Sequence, residues 1–211
     1  MQIHRLKTGR IVLITLLLAA LFVAAVSAAD EKGVVRSDAS KEQLNLINEL
    51  YGKNITVLDY MEQVHPEHLV GVPDSVKKNM AQQKMNWWGK EPALNQITTE
   101  STSRTERATV SVTAIGYKFD SRTIRFGGTT TASGLETQPW YIYNEAFLIN
   151  HDTGQTVDST SASSQDGVWS IPSSKDTLYP ANGNYYVHSW GYIPSPYYAE
   201  DSDDTSVFSF P

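Results

Sequence analysis

The chain has no cysteine among its 211 residues. That absence excludes disulfides, thiolate metal sites, cysteine nucleophiles and dithiol redox chemistry. Small exported domains often depend on disulfides, so an exported fold must here be held by its core alone. Basic residues are also scarce, with 17 Lys and Arg against 23 Asp and Glu. The acidic balance argues against nucleic acid and anionic membrane surfaces as partners, because both are recognised by clustered basic side chains.

Charge is missing from one long run, the 19 residues from 11 to 29. A basic segment, residues 1–10, precedes the run, and Ala28 and Ala29 supply the small residues of a signal-peptidase cleavage site. The run is long for a signal peptide and close to the roughly 20 residues that span a bilayer. Residues 1–29 are therefore predicted to be a cleaved signal peptide or an uncleaved signal anchor. Either way the basic flank stays cytoplasmic, so the rest of the chain is secreted or extracytoplasmic and contacts the membrane only through this segment.

Residues 30–96 carry a helical pattern of apolar residues. SKEQLNLINELYG begins with Ser40 in an S-x-x-Q capping box, and TVLDYMEQVHP repeats the plan with Thr56 as its cap. A third helix is predicted to begin near Asp74 and to end at Gly89. Three short amphipathic helices bury little apolar surface alone. Their apolar stripes therefore need a partner surface.

The period of the apolar residues changes to two after a Thr- and Ser-rich linker, residues 97–107. Turn signals such as DSR, HDTG, SQDG and PANGN separate the strand-like runs of residues 108–211. Seven runs are rich in β-branched and aromatic residues: ATVSVTAIGYKF, TIRFGG, WYIYNEAFLIN, QTVDSTS, VWSIPS, NYYVHSWGYI and TSVFSF. Because no helical pattern separates them, they predict an antiparallel sandwich domain.

One short stretch, LYPANGNYYVHSWGY, resembles a known family. Leu178, Pro180 and Tyr185, with Val187 two residues further on, match the L-x-P…Y-x-core pattern of the immunoglobulin and fibronectin type III superfamily. The resemblance implies a mainly β protein, with an immunoglobulin-like antiparallel sandwich of about seven strands behind the helical segment and the signal or anchor helix. It also implies a tyrosine corner, in which the Tyr185 hydroxyl makes a hydrogen bond to a backbone group earlier in the chain. The missing cysteine pair separates the chain from antibody domains, and the fold alone implies no activity.

The same stretch contains an aromatic face. Side chains alternate along a strand, so Tyr186, His188, Trp190 and Tyr192 point to one side. An exposed face of this kind is predicted to bind a protein partner or to stack on the rings of a glycan. The alternative is that the N-terminal helices cover it, in which case Trp190 is interior.

Two motifs resemble those of hydrolases, but each is explained by local structure. Asp152-Thr153-Gly154 is the tripeptide of aspartic proteases, whose chemistry needs two such loops, and NHDTGQ is also typical of a hairpin turn. Ser75-x-x-Lys78 matches the S-x-x-K motif of penicillin-recognising serine enzymes, but the S-D-N and K-T-G companions are absent. Ser75 is instead predicted to cap a helix. The sequence favours a non-catalytic protein.

Metal ligands are equally sparse. His65, Glu67 and His68 lie close together in VHPEHL, but Pro66 interrupts the helix between them, so no shared metal is predicted. A single acidic run could offer oxygen ligands to Ca²⁺, although it lacks the spacing and glycine of a calcium loop. We predict a solvated acidic loop, with Ca²⁺ binding as the alternative and no other cofactor. The run consists of Glu200, Asp201, Asp203 and Asp204.

Asn54-Ile55-Thr56 is an N-x-S/T acceptor, so Asn54 is a glycosylation candidate in an exported chain. The features above favour an exported or cell-surface interaction module that binds through the aromatic face or the sandwich loops. A carbohydrate-binding module is one alternative. A pilin-like filament subunit is another, although Thr8-Gly9-Arg10 is a poor prepilin cleavage site.

Overall fold

Two antiparallel sheets and three short helices make up residues 33–88, 108–194 and 198–211, the part of the chain that the computed structural model describes. The signal or anchor segment, Gly89 and the predicted linker lie outside this part. None of the helices described is long and apolar enough to cross a membrane. The helices are α1 (Lys41–Leu50), α2 (Val57–Val64) and α3 (Asp74–Met80), with a 3₁₀ helix at Pro66–Leu69. The strands are β1 (Val34–Asp38), β2 (Thr109–Lys118), β3 (Thr123–Ser133), β4 (Ile142–Asn150), β5 (Thr156–Ser164), β6 (Ser170–Leu178), β7 (Gly183–Ile193), β8 (Ala199–Asp204) and β9 (Phe208–Phe210).

The first two helices begin at the predicted caps. The Ser40 hydroxyl accepts from the Gln43 N–H at 3.2 Å, and the Gln43 side chain accepts from the Ser40 N–H at 2.8 Å. Thr56 and Asp59 form the same reciprocal box at the start of α2. Each box satisfies backbone donors that the first helical turn leaves without partners.

The third helix differs from its prediction at both ends. Its cap is Pro73, so Ser75 lies inside α3 and is not a cap. The helix ends at Met80 because the following segment makes backbone bonds to the start of α2. The Val57 N–H donates to the Gln83 carbonyl at 2.9 Å, a bond that a longer α3 would exclude.

The strands form two sheets, ordered β1–β5–β4–β7–β8 and β2–β3–β6, with β9 also pairing with β7. All seven predicted runs are strands. Two further strands were not predicted. β1 pairs with β5 from Val34 opposite Ser164 to Asp38 opposite Thr160, within the region predicted to be helical. It is too short to show a period of its own.

β8 is the second unpredicted strand, and it replaces the predicted acidic loop. Its sequence, AEDSDD, lacks the apolar alternation that indicates a strand. It is held by pairing with β7 and by two side chains that face the other sheet. Asp201 and Asp203 accept from the backbone N–H groups of Val112 and Ala114 on β2, at 3.2 and 2.9 Å. These carboxylates bridge the two sheets along one side of the sandwich.

β4 is buried on both faces and forms the centre of the protein. Ile142, Ala146 and Leu148 pack between the two sheets, whereas Tyr143 and Phe147 pack against the helices. The helices therefore form a third layer on the outer face of the larger sheet.

A neutral polar cluster lies between the sheets. The Asn144 amide donates to the hydroxyls of Thr130 and Ser189, both at 3.0 Å, and its oxygen accepts from the Ser173 hydroxyl at 2.5 Å. Gly191 leaves room for this cluster, since a Cβ there would lie 1.8 Å from the Thr130 hydroxyl. The sheets therefore approach closely around a satisfied amide.

The tyrosine corner bond is present. The Tyr185 hydroxyl donates to the Ala181 carbonyl at 2.6 Å, and the residue is 1% exposed. Val187 is fully buried, as the pattern implies. Leu178 departs from a core role, with 65% of its surface exposed.

Candidate functional site

The aromatic face is covered by the helical layer. Tyr192, Trp190 and His188 are 0%, 1% and 4% exposed, and Tyr186 is half-buried. Met61 and other apolar side chains of α1, α2 and α3 belong to the same core cluster as Trp190 and Tyr192. The helices therefore cover this face, which is the alternative given in the sequence analysis. The prediction that these four residues form an open binding surface is wrong for this arrangement, because the helices bury their own apolar stripes on the rings.

The rings on this face contact one another closely. Trp190 and Tyr192 stack with centroids 4.8 Å apart, and Tyr143 of β4 meets the Trp190 ring edge-on. The Trp190 indole N–H donates to Glu200 at 3.2 Å, and the Tyr192 hydroxyl faces the Met80 sulfur at 3.8 Å. Such contacts are typical of a packed core. The alternation of side chains along WYIYNEAFLIN was the sequence signal that β4 contributes further rings to the aromatic face.

A buried carboxylate lies among these rings. Glu145 on β4 has no exposed surface and accepts hydrogen bonds from four side chains. The hydroxyls of Tyr60, Tyr143 and Ser159 donate at 3.0, 2.9 and 2.8 Å. The fourth partner is His65, whose Nε2 lies 2.9 Å from the Glu145 carboxylate. The charge of Glu145 is thus fully compensated inside the protein, as burial requires.

His65 is held between two carboxylates. Its Nδ1 lies 3.2 Å from Glu67, on the side opposite Glu145. Burial lowers the pKa of His65, but the charges and hydrogen bonds of Glu145 and Glu67 together outweigh burial and raise that pKa to about 9. Burial raises the pKa of Glu145, but the charge of His65 and the hydrogen bonds from His65, Ser159 and Tyr143 together outweigh burial and lower it, so the carboxyl stays ionised. The pair is an imidazolium and a carboxylate at neutral pH.

Next to this pair lies His68, which is fully buried. Its Nδ1 and Nε2 lie 2.8 Å from the hydroxyls of Ser163 and Ser161 on β5. Burial and the charge of His65 lower the pKa of His68 to about 4, so its ring is neutral. Two small polar residues of β5, Ser161 and Ser163, therefore hold the ring of a histidine from the helical layer.

One potential metal ligand set is formed within the described residues. Ligand atoms of His65, Glu67 and His68 all lie within 4.8 Å of one another. Pro66 ends α2, as predicted, but it also begins a 3₁₀ helix. Side chains three residues apart are aligned in such a helix, so His65 and His68 meet. The H-P-E-H pattern was a signal of this proximity, and the inference that Pro66 separates the ligands was wrong.

These groups are not open to a substrate. Glu145 and His65 are both 0% exposed. A cleft of about 220 Å³ lies between β1, β5 and β6, lined by Arg36, Asp38 and five hydroxyl side chains. It has neither a histidine nor a glutamate in its lining. The buried network can therefore hold charge and fix the helices, and its Glu145 and His65 side chains have no surface that a substrate could contact as they are placed.

The other predicted site residues lie apart from this network. Asp152, Thr153 and Gly154 form the turn between β4 and β5, with Gly154 at a φ of 71°. Ser75 and Lys78 are exposed on α3. Asn54 is exposed in the connection between α1 and α2, where its glycosylation stays a prediction. Ala28 and Ala29 lie outside the described residues.

The four acids of β8 do not converge. Glu200 accepts from the Tyr198 hydroxyl at 2.6 Å as well as from Trp190, and Asp204 lies 2.7 Å from His188 Nδ1. Asp201 and Asp203 point the other way, toward β2. The alternation of a strand thus divides the four carboxylates between two sides, which is unsuitable for a shared Ca²⁺.

An apolar patch is exposed at one end of the smaller sheet, and sequence analysis missed it. The Tyr179 patch consists of Tyr117, Phe119, Leu178 and Tyr179, which are 43%, 51%, 65% and 71% exposed. Backbone bonds bring its parts together: Phe119 donates to Thr123, which pairs with Leu178. Tyr179 has a φ of 53°, the sole positive value at a non-glycine residue among those described. Such a value is uncommon at a tyrosine and places Tyr179 in the left-handed region at the bend after β6.

Charged side chains flank the Tyr179 patch. Arg125 lies 4.0 Å from the centre of the Phe119 ring and makes two 2.7 Å hydrogen bonds to Asp176. Arg122 and Asp120 are exposed nearby in the β2–β3 turn, whereas Lys118 points to the other face of β2 and lies over the Phe210 ring. At the opposite end of the sandwich, Trp140 and Trp169 are each 38% exposed. Within the part of the chain that the structure describes, these are the large aromatic side chains that are most exposed.

The fold defines a mainly β protein, a two-sheet sandwich with a helical cover. No family model matches the chain, and no curated protein matches it. Among solved structures it is similar to a putative beta-galactosidase from Bacteroides fragilis, with 13% identity and a TM-score of 0.33. The likeness covers 48% of this chain and 19% of that one. Function must therefore be argued from the chain's own residues.

Proposed function

We propose that the chain is an exported or cell-surface interaction module without catalytic activity, built on an immunoglobulin-like sandwich. If β2 to β8 are given the letters A to G, the smaller sheet contains strands A, B and E. The larger sheet contains C, F and G, and strand D (β5) lies beside C. That arrangement supports a fibronectin type III-like topology, to which β1 and the helices are additions. The Tyr185 corner bond supports the same assignment.

The absence of catalysis is supported by the state of the acid–base groups. A general acid or base must come within hydrogen-bond reach of its substrate. Glu145, His65 and His68 are buried and bonded to other side chains. The buried network instead supports a structural role, in which it joins the helical layer to the larger sheet.

The single observation that carries the binding role is the Tyr179 patch. Exposed apolar side chains that lie together tend to mark interaction sites on soluble proteins. The patch combines tyrosine, phenylalanine and a neighbouring arginine, residue types that dominate the energetics of protein interfaces. Arg122 and Arg125 lie beside it together with Asp120 and Asp176, so charges of both signs surround its apolar centre. The partner is therefore a protein surface with an apolar centre.

Photo-crosslinking tests this role directly. A benzophenone amino acid replaces Tyr179 in cells that make the protein, and the matched control carries it at Trp169, at the other end of the sandwich. We expect one protein to be crosslinked from position 179 and not from position 169. The Phe119→Ser substitution should abolish that adduct without changing the melting temperature by more than a few degrees. Equal adducts from both positions, or none from position 179, would contradict the proposal.

Carbohydrate binding is the second candidate, favoured by the half-exposed Trp140 and Trp169. Tryptophan rings suit stacking on sugars, and a glycan array would detect such binding. Glycan binding that is lost in Trp140→Ala and Trp169→Ala, but kept in Phe119→Ser, would show that the ligand is a glycan and not a protein.

Export is a separate part of the proposal and has its own test. Mass spectrometry of the protein from its host gives the N-terminal residue of the mature chain. A start at Asp30 supports a secreted module, and an intact Met1 supports an anchored one. A start near Arg10 would instead support the filament-subunit alternative.

A further inference from the structure

The geometry points to a Zn²⁺ site formed by His65, Glu67 and His68. Their ligand atoms lie within 4.8 Å of one another, and all three come from one short segment around the 3₁₀ helix. The proposed interaction surface makes no use of these residues, so the two proposals can fail independently.

The donor set suits a divalent transition metal of borderline softness. Two imidazoles and one carboxylate form a common ligand set for Zn²⁺, with a fourth position left for water. Ca²⁺ and Mg²⁺ prefer oxygen ligands, of which this segment offers one carboxylate.

The distances require little rearrangement. Tetrahedral Zn²⁺ ligands at about 2.0–2.1 Å from the metal lie roughly 3.3 Å from one another. His65 Nδ1 and the Glu67 carboxylate are already 3.2 Å apart. A metal ion would replace the proton that these two atoms share. The His68 ligand atom lies within 4.8 Å of the other two, so it must approach by up to about 1.5 Å. It must also release one of its two serine hydroxyls, Ser161 or Ser163.

The surroundings resemble those of a metal-bound imidazole. A ligating histidine usually donates its other ring N–H to a carboxylate or carbonyl, which fixes the ring and raises its basicity. Glu145 occupies that position, 2.9 Å from His65 Nε2. Tyr60, Tyr143 and Ser159 fix Glu145 in turn. This shell is complete without a metal, and it orients His65 Nδ1 toward Glu67.

An ion has a route to the site. The Glu67 side chain is 34% exposed, whereas the His65 side chain is fully buried. The carboxylate can therefore capture an ion from solvent and pass it to the imidazoles. Pro66 of the 3₁₀ helix is exposed and Glu67 is partly exposed, so the Glu67 side of the site is the one nearest solvent.

Zn²⁺ titration of the metal-free full chain tests the site, with mild detergent to keep the apolar N-terminal run in solution. Competition with a chromophoric chelator should give one Zn²⁺ per chain, and the melting temperature should rise to a plateau at one equivalent. Glu67→Gln keeps the side-chain volume and should weaken Zn²⁺ binding by at least tenfold. The matched controls, Glu62→Gln and His151→Ala, alter an exposed carboxylate and an exposed imidazole elsewhere, and should bind as the wild type does.

X-ray absorption at the zinc edge keeps the test decisive if a variant fails to fold. The wild-type spectrum should show two imidazole ligands with oxygen completing the shell. Absence of stoichiometric Zn²⁺ binding to the wild type would overturn the inference. So would an all-oxygen shell, or a folded Glu67→Gln variant whose affinity equals that of the wild type.

Discussion

Asn144 and Glu145 are consecutive residues of β4, yet each is the centre of a different buried cluster. Asn144 faces the second sheet and is satisfied by three hydroxyls. Glu145 faces the helices and is satisfied by three hydroxyls and His65. A neutral amide needs only hydrogen bonds, which small side chains on neighbouring strands can supply. A buried carboxylate also needs a counter-charge, which here comes from the helical layer.

The difference shows how the two layers are attached to the central sheet. The inter-sheet layer packs closely around small residues such as Gly128 and Gly191, where a Cβ would meet Ser189 or Thr130 at under 2 Å. The helical layer packs large rings and is positioned by directional bonds from Tyr60 and His65 to Glu145. We infer that the charged cluster fixes the position of α2, since removing either partner leaves a buried charge.

The largest expected effect concerns the apolar part of the helical side. Trp190→Ala should lower the free energy of unfolding by roughly 3–5 kcal/mol, because it removes a fully buried ring from the helix–sheet core. Urea unfolding followed by circular dichroism measures the loss. Trp140→Ala is the control, because this ring is 38% exposed, and it should lose clearly less free energy of unfolding. Equal stability of Trp190→Ala and the wild type would mean that the helices do not cover this face.

The charged cluster should give the next largest effect. Glu145→Gln keeps the volume and one acceptor oxygen but removes the counter-charge of His65, so we expect a loss of about 3 kcal/mol. Glu49→Gln, which breaks an exposed ion pair with Lys53, should change stability by less than about 0.5 kcal/mol. In a double-mutant cycle with His65→Gln, the two losses should not add, because both remove the same interaction. Additive losses would argue against a coupled pair.

Sequence patterns predicted the local features of both layers much better than the contacts between the layers. The caps at Ser40 and Thr56, the seven strand runs and the Tyr185 corner follow from local rules, and each is present. The strands β1 and β8 were missed because their stability comes from pairing with neighbours, which a five- or six-residue segment does not encode.

The Glu145 cluster was missed for a similar reason. Tyr60 and His65 are 85 and 80 residues from Glu145 in sequence, and each residue has an ordinary local explanation as a helix, strand or loop residue. Only the docking of α2 on the sheet brings them together. The prediction of an open aromatic face was wrong because strand alternation identifies which residues share a face, but not which layer covers it.

The neutral cluster should be less sensitive than the charged one. Asn144→Ala leaves the hydroxyls of Thr130, Ser173 and Ser189 without their shared partner, so we expect a loss of about 2 kcal/mol. Hydroxyl groups can rotate toward other acceptors, and no buried charge is left behind. Both variants are measured under the same conditions. If Asn144→Ala loses more free energy of unfolding than Glu145→Gln, the neutral cluster is the more sensitive of the two.

The smallest expected effect concerns a single hydrogen bond at the edge of the inter-sheet layer. Tyr185→Phe removes the hydroxyl that donates to Ala181 at 2.6 Å while the ring stays buried. The loss should be roughly 1–2 kcal/mol, since one buried carbonyl loses a partner and no cavity larger than an oxygen is created. Tyr179→Phe is the matched control, because its ring is 71% exposed and its stability should stay within about 0.5 kcal/mol of the wild type. A Tyr185→Phe variant as stable as that control would show that the corner bond adds nothing to the sandwich, and would remove the main local support for an immunoglobulin-like topology.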